Sequence, residues 1–270
     1  MERTFWHKQT SGQPLFPDLE WSRPESKTLA GKLLIIGGNA FGFQAPAEAY
    51  MEAGKAGVGT AHVILPQRVQ SLVGKVLPAV EYAMSNPSGG FSQMALGELL
   101  AQAQWGDGVL LAGDFGRNSE TAILLEKFLS KYDGQATLTK DAVDYFTPAP
   151  APLLHRENTT LVLSFAQLQK LANAAHFPAA FTFDMDFLRL VDSLHEFTVA
   201  HSINVVTKHL NTIFAAVNGE ISTTKLDEDM EVWRLKTAAH ASVWWLQNPS
   251  KPFEALTSAV SSFSGTASRT

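Results

Sequence analysis

Two glycines follow the first strongly apolar run of the chain. The sequence GKLLIIGGNAFGFQAP, residues 31–46, passes from that run through Gly37, Gly38 and Asn39 into a helix-forming segment. A glycine leaves the backbone amide unshielded, and the first turn of a helix presents N–H groups without intrahelical partners. The turn is therefore expected to offer free amides to a phosphate-bearing small molecule, which makes Gly38 and Asn39 candidate ligand-binding residues.

This turn matches neither of the two common nucleotide-binding patterns. It contains no GxGxxG and no GxxxxGK[ST], so it predicts neither a dinucleotide-binding fingerprint nor a P-loop. The helix that follows is rich in alanine and glycine, which allow close packing. The alternative that these small residues serve only helix–sheet packing therefore stays open.

Short apolar runs alternate with helix-length segments along most of the chain. Strands are predicted at 33–37, 61–65, 108–112, 136–139, 160–164 and 203–207, and a hairpin over 212–223 that turns at Asn218-Gly219. Helices are predicted at 46–56, 67–75, 118–131, 165–175, 183–201, 228–247 and 251–262. This alternation is typical of an α/β protein whose mostly parallel sheet is covered on both faces. Ligands of such sheets bind at the carboxyl ends of the strands, where the glycine turn is expected.

The amino-acid composition of the chain limits the classes of binding partner that we expect. The formal net charge is -5 and no Lys/Arg stripe is present, so neither nucleic acid nor an anionic membrane surface is an expected partner. The chain contains no cysteine, and no apolar run approaches the ~20 residues that span a bilayer. We therefore expect a soluble, cytoplasmic protein. His195 and His201 are six residues apart on one predicted helix and face different ways, so no metal site is predicted.

Aromatic residues lie at both ends of the chain. Residues 1–30 carry Trp6, Phe16 and Trp21 without strand or helix periodicity, and are predicted to be an N-terminal extension that packs on the body, residues 31–270, or on a partner. On the penultimate helix the rings of Trp233, Trp244 and Trp245 cannot share one face. At least one ring is expected to point away from the core and to anchor a subunit contact, so a homo-oligomer is predicted.

The run GGNAFGFQAPAEAYMEAGKAGVGTAHVILP resembles the opening of the ADP/ATP-dependent NAD(P)H-hydrate dehydratases, a family of the ribokinase-like superfamily that reads GGS, then GAP, then an alanine-rich helix ending GAG. The resemblance covers about residues 31–262. Four later segments correspond to the family's GPGLG, DADAL, TPH and KG-x-x-T elements: AGDFGRN at 112–118, TKDAVDYF at 139–146, VLS at 162–164 and TKHLNTIFA at 207–215. The resemblance implies a three-layer ribokinase-like α/β sandwich.

The resemblance also implies an activity and a set of site residues. In this family a nucleotide phosphorylates the hydroxyl of hydrated NADH or NADPH, and loss of phosphate restores the dihydronicotinamide, which makes the enzyme a lyase. ADP or ATP with Mg2+ would be the cofactors, and an NAD(P)H-type dinucleotide the substrate. Two groups of residues correspond to the family's contacts: Ala45, Gly116, Asp141 and Ser164 on the substrate side, and Lys208 and Thr212 on the nucleotide side.

Two elements of the family pattern are changed. Asp114 and Phe115 replace a glycine-leucine pair of GPGLG. The family's GTGD turn, whose amides stabilise the transferring phosphoryl group and whose aspartate is the base, falls at VWRL, 232–235, and no glycine occurs between Gly219 and Gly265. The weak catalytic candidates Asp227 and Asp229 lie just before it, although capping of the following helix explains them equally.

Three functional hypotheses stay open on the sequence. The first is a dehydratase with an altered site. The second is a non-catalytic homologue that binds a nucleotide or dinucleotide and acts as a regulatory or oligomeric protein. The third is a small-molecule kinase of the ribokinase class, which needs the same missing turn.

Overall fold

The structure of the protein is a computed structural model that describes residues 3–10, 13–74, 77–226 and 233–264. Within these ranges ten strands form one sheet in the order β1-β10-β9-β8-β7-β6-β5-β2-β3-β4. The strands are β1 Trp6–Gln9, β2 Lys32–Gly37, β3 Thr60–Pro66, β4 Val80–Ala83, β5 Gly108–Gly113, β6 Gln135–Thr139, β7 Thr159–Ser164, β8 Ile203–His209, β9 Thr212–Val217 and β10 Glu220–Lys225. All neighbours from β8 to β4 are parallel, β9 is antiparallel to β8 and β10, and β1 is parallel to β10.

Helices cover both faces of the sheet. They are α1 Pro17–Trp21, α2 Gln44–Lys55, α3 Gln70–Val73, α4 Leu96–Trp105, α5 Ser119–Lys131, α6 Asp141–Asp144, α7 Ala151–Leu154, α8 Phe165–Ala174, α9 Phe187–Ala200, α10 Arg234–Gln247 and α11 Pro252–Ser264. Alternate side chains of β2 enter two separate cores: Leu33 and Ile35 pack with α2, α10 and α11, whereas Leu34 and Ile36 pack with α4, α5, α8 and α9. The result is the predicted three-layer α/β architecture.

The predicted strands and the hairpin are confirmed. Asn218 and Gly219 have φ of 48° and 86°, the left-handed values that a tight two-residue turn needs. The predicted helix at 67–75 is a 3₁₀ turn followed by the short α3, and the predicted start of the 228–247 helix falls partly outside the described residues, since α10 is described from Arg234. Strands β1 and β4 and helix α4 were not predicted.

The N-terminal segment joins the sheet through β1 and is fixed by side-chain contacts. Arg3 donates two hydrogen bonds of 2.6 and 2.8 Å to the carboxylate of Asp192 on α9. The ring of Trp6 contacts that of Phe187, and Phe16 contacts Phe253. These two aromatics pack on the body as expected, whereas Trp21 is 88% exposed.

The tryptophans of α10 do not behave as the sequence predicted. Trp233, Trp244 and Trp245 are all buried, with exposures of 8%, 1% and 2%. The expectation that one ring points away from the core is wrong, because α10 packs against the sheet and against both α2 and α11, while Arg23 lies over Trp244 at 4.5 Å. A homo-oligomer remains a prediction, without support from these residues.

None of the described helices is both long enough and apolar enough to cross a membrane.

A buried acid and a buried histidine meet where α2 packs on α10. His240 Nε2 lies 3.4 Å from Glu52 Oε2, and His240 Nδ1 lies 3.1 Å from the hydroxyl of Ser262. Burial lowers the pKa of His240 to about 4. Burial alone would raise the pKa of Glu52, but the hydrogen bond and charge of Lys55, with the charge of His240, hold that pKa below its usual value.

We predict that acidification weakens the fold through His240. The unfolded chain binds a proton at this histidine near pH 6.5, whereas the folded chain does so only near pH 4. The unfolded state therefore binds more protons in this window, and the free energy of unfolding falls by on the order of 2 kcal/mol between pH 7 and pH 5. Urea unfolding at the two pH values measures this loss.

The variant His240→Gln isolates the contribution of this one group, because glutamine does not titrate. Its free energy of unfolding should fall less on acidification than that of the wild type. His176→Asn, a change at an exposed histidine, is the matched control and should keep the wild-type dependence. An H240Q variant as acid-sensitive as the wild type would contradict the prediction.

Candidate functional site

The backbones of β2 and β5 come very close at their carboxyl ends. Gly38 N donates a 3.0 Å hydrogen bond to Gly113 O, and a Cβ placed on Gly37 would lie 2.5 Å from the same oxygen. Gly113 has φ of 101°, a conformation that side chains disfavour. The close approach of the two strands thus requires glycine at position 37, and the left-handed conformation favours it at position 113.

The amides of this edge already have partners within the chain. Asn39 N donates to Gly42 O at 2.9 Å, and Gly116 N donates to Asp141 Oδ2 at 3.1 Å. The expectation of unhindered amides at 38, 39 and 116 is therefore wrong. The physical reason is that nearby carbonyls and one carboxylate fold back onto these N–H groups.

Asp114 connects three elements at the same edge. Its Oδ2 accepts a 2.7 Å hydrogen bond from Ala45 N in the first turn of α2. Its Oδ1 lies 2.9 Å from Lys140 Nζ, at the end of β6, and its backbone oxygen accepts a hydrogen bond from the side-chain amide of Asn39. Lys140 is thus paired with Asp114.

Asp141 borders a cavity of about 340 Å³ together with Gly116, Asp144 and Tyr145. Burial raises the pKa of Asp141, the hydrogen bond from Gly116 N lowers it in part, and the charge of Asp114 raises it further. The Tyr145 hydroxyl donates to Gly116 O. The carboxylate therefore lies at the wall of a small cavity, with a proton affinity above the ordinary value for aspartate.

Ser164 and Gln167 form the centre of a second group of contacts. Ser164 caps α8: its hydroxyl accepts from Gln167 N at 3.2 Å, and Gln167 Oε1 accepts from Ser164 N at 3.1 Å. Gln167 Nε2 donates to Lys140 O at 2.8 Å and to Asp144 Oδ1 at 2.9 Å. Arg234 Nη1, at the start of α10, donates to Gln167 Oε1 at 3.0 Å.

The two predicted nucleotide-side residues lie next to this group. Lys208 on β8 stands opposite Ser164 on β7 in the sheet register, and Thr212 on β9 stands opposite His209 at the other side of the β8–β9 turn. Lys208 therefore lies at the carboxyl end of β8. Arg234, in the first turn of the 14-residue helix α10, reaches Gln167 near the start of α8.

The structure thus divides the predicted residues between two sides of one sheet edge. Gly38, Asn39, Ala45 and Gly116 lie around Asp114 and Asp141. Ser164, which the resemblance puts on the substrate side, instead lies with Gln167, and Lys208 stands opposite it in the register, with Thr212 across the β8–β9 turn. The weak catalytic candidates Asp227 and Asp229 lie outside the described residues.

Sequence reasoning missed Gln167 and Arg234. The pattern Ser164-x-x-Gln167 is that of a capping box, a signal that could have located the first. No local signal marks Arg234, because only the packing of α10 against β7 brings it to Gln167. In the described part of the chain no group of three or more His, Asp or Glu side chains could hold a metal ion.

Comparison with known proteins identifies the fold class. No protein-family model and no curated protein matches the sequence. A ribokinase-like superfamily protein from Enterococcus faecalis superposes with a TM-score of 0.72 at 14% identity, over 97% of this chain and 87% of that one. A hypothetical protein from Streptococcus mutans gives 0.65 at 15% identity, over 88% and 82%.

An ADP/ATP-dependent NAD(P)H-hydrate dehydratase from Bacillus subtilis, co-crystallised with ATP and Mg2+ and soaked with CoA, gives a TM-score of 0.61 at 13% identity, over 92% of this chain and 86% of that one. Identities at this level establish the fold alone. The chain therefore has a ribokinase-like α/β fold.

We predict that Gln167→Ala destabilises the protein by about 2–3 kcal/mol, because it removes the hydrogen bonds that this buried side chain makes to Ser164, Lys140, Asp144 and Arg234. Urea unfolding measures the change. Gln169→Ala on the same helix removes a single hydrogen bond, to Phe181 O, and is the control, with an expected loss of about 1 kcal/mol. Equal losses in the two variants would show that Gln167 does not hold these elements together.

Proposed function

We propose that this protein is a ribokinase-like homologue that binds an adenine nucleotide but transfers its phosphoryl group poorly or not at all. The observation that carries the proposal is a pair of cations near the carboxyl ends of β7 and β8: Lys208, which stands opposite Ser164 in the sheet register, and Arg234, in the first turn of α10, which donates to Gln167. Cations and a helix N-terminus both attract phosphate, and a guanidinium binds it through two parallel hydrogen bonds.

The geometry gives each residue a distinct task. Lys208 and Arg234 would neutralise the nucleotide phosphates, and Thr212 would donate its hydroxyl. Gln167 holds Arg234 through the 3.0 Å bond to its Oε1, so this cation is oriented before any ligand arrives. The B. subtilis dehydratase with the same fold, which was crystallised with ATP and Mg2+, supports adenine nucleotides as the ligand class.

A Mg2+ ion fits this arrangement only together with the nucleotide. In nucleotide sites the ion is held by phosphates, waters and one or two carboxylates, so a dedicated cage of protein ligands is not needed. Asp144, whose Oδ1 accepts from Gln167 Nε2, is a carboxylate on this side of the edge. Bound nucleotide would supply the phosphoryl group, and the chain's own residues would bind and orient it.

Phosphoryl transfer also requires that the phosphoryl group be stabilised during the reaction, and this requirement argues against turnover. The sequence has no glycine between Gly219 and Gly265, so the bare amide turn that the resemblance places before α10 is missing. Loss of one such donor costs roughly 100- to 1000-fold in rate. The Arg234 side chain supplies a positive charge at the start of α10 but no backbone amides, and this favours nucleotide binding over phosphoryl transfer.

We predict that ADP or ATP raises the midpoint of thermal unfolding. Ligand at 100 times its dissociation constant adds about 2.7 kcal/mol, which corresponds to several degrees in a chain of this size. The same measurement with AMP tests how many phosphates are required for binding. With NADH and NADPH it tests the dinucleotide alternative, and every ligand is used with and without Mg2+. If none of the five shifts the midpoint, the proposal fails.

Paired variants locate the binding. Lys208→Gln and Arg234→Gln should each remove most of the nucleotide-dependent shift, because each deletes one phosphate-binding cation. Lys131→Gln and Arg189→Gln, which make the same changes at exposed positions on α5 and α9, should leave it intact. Comparing the shift rather than the midpoint separates lost binding from lost stability.

Turnover separates the functional hypotheses. Purified protein with hydrated NADH and ADP or ATP is expected to release no phosphate above background. Measurable, nucleotide-dependent recovery of NADH would reject the non-catalytic proposal and leave a dehydratase with an altered site.

A further inference from the structure

Asp114 adopts a backbone conformation that few residues other than glycine accept. Its φ is 58°, in the left-handed region, directly after Gly113 at the end of β5. Aspartate tolerates this region better than most side chains, but it is still strained there. The conformation directs the carboxylate across the sheet edge toward α2.

The Asp114 carboxylate accepts from two donors, Ala45 N and Lys140 Nζ, that would otherwise bind an anion at this place. One oxygen accepts the N–H of Ala45, in the first turn of the 12-residue helix α2, at 2.7 Å. The other oxygen lies 2.9 Å from Lys140 Nζ. A helix N-terminus and a lysine are together a favourable phosphate site, and here both are already bound to a negative group of the protein itself.

A second carboxylate, that of Asp141, accepts the neighbouring backbone N–H, that of Gly116, in the same way. Gly116 N donates to Asp141 Oδ2 at 3.1 Å. A phosphate approaching this side would therefore have to displace one acid and come close to another, and like charges repel strongly at such distances.

We propose that Asp114 is a specificity-determining residue that excludes phosphate from the carboxyl edge of the sheet beside the first turn of α2, so that any part of a ligand lying there is uncharged or positively charged. A hydroxyl or amine can donate to the carboxylate, whose side chain remains 22% exposed. The proposal goes beyond nucleotide binding, because it concerns the opposite side of the sheet edge and does not depend on Lys208 or Arg234.

The test removes the carboxylate and titrates the protein with inorganic phosphate. Glycine accepts the left-handed conformation of position 114, so Asp114→Gly is suited to fold. The amide signal of Ala45 in TROSY spectra of the 15N-labelled full chain reports the site directly, at constant ionic strength. We expect no saturable change in the wild type and a saturable, phosphate-dependent shift of the Ala45 amide in D114G.

Two further variants identify the cause. D114G/K140Q should lose the gained affinity, since it lacks the lysine that phosphate would contact. Asp133→Gly makes the same charge change at an exposed position before β6, near the opposite edge of the sheet, and should behave like the wild type. These outcomes exclude a general effect of net charge.

Three results would overturn the proposal: a saturable phosphate-dependent shift of Ala45 in the wild type, no gain of binding in D114G, or equal binding by D114G and D114G/K140Q. The wild-type titration alone can reject it, so the test does not depend on any variant. Failure of nucleotides to bind at Lys208 and Arg234 would leave this result unaffected.

Discussion

The requirement that buried backbone N–H groups find acceptors governs the carboxyl edge of this sheet. Tight glycine turns between β2, β5 and α2 bring many amides together where a ligand would normally complete them. Here the chain itself supplies the hydrogen-bond acceptors for these N–H groups. They are the carbonyls of Gly42 and Gly113 and the carboxylates of Asp114 and Asp141. The arrangement stabilises the turns without a ligand, and it leaves the α2 side with few donors to offer.

The other side of the same edge has the opposite character. Lys208 at the carboxyl end of β8 and Arg234 at the start of α10 add positive charge, and Gln167 connects α10 to β6, α6 and α8 through one buried amide. The edge therefore holds the carboxylates of Asp114 and Asp141 against backbone amides near α2 and carries two further cations beyond them.

The ribokinase-like fold does not decide between catalysis and binding. Proteins with this fold at 13–15% identity to the chain include a dehydratase and proteins without an assigned activity, and function resides in the site rather than in the fold. What distinguishes this chain is local: an aspartate in a left-handed turn and an arginine at the start of α10, where the resemblance has glycines. Both changes add a charged side chain at a position where glycine has none.

The sequence by itself determined the α/β class, six parallel-type strands and the Asn218-Gly219 hairpin, because continuous aliphatic runs and a left-handed turn pair are local signals. It did not determine β1 and β4, four-residue strands that form only by pairing with β10 and β3. It also misjudged α10, because periodicity along one helix cannot reveal that neighbours cover all of its faces.

For the candidate site, the sequence predicted a glycine turn at the carboxyl edge of the sheet, but tertiary structure alone decided whether its amides are free. Asp114 meets Ala45 across 69 positions of the chain, and Asp141 meets Gly116 across 25. A hydrogen bond depends on distances within a few tenths of an ångström, which chain spacing does not specify and the packing of β5, β6 and α2 does.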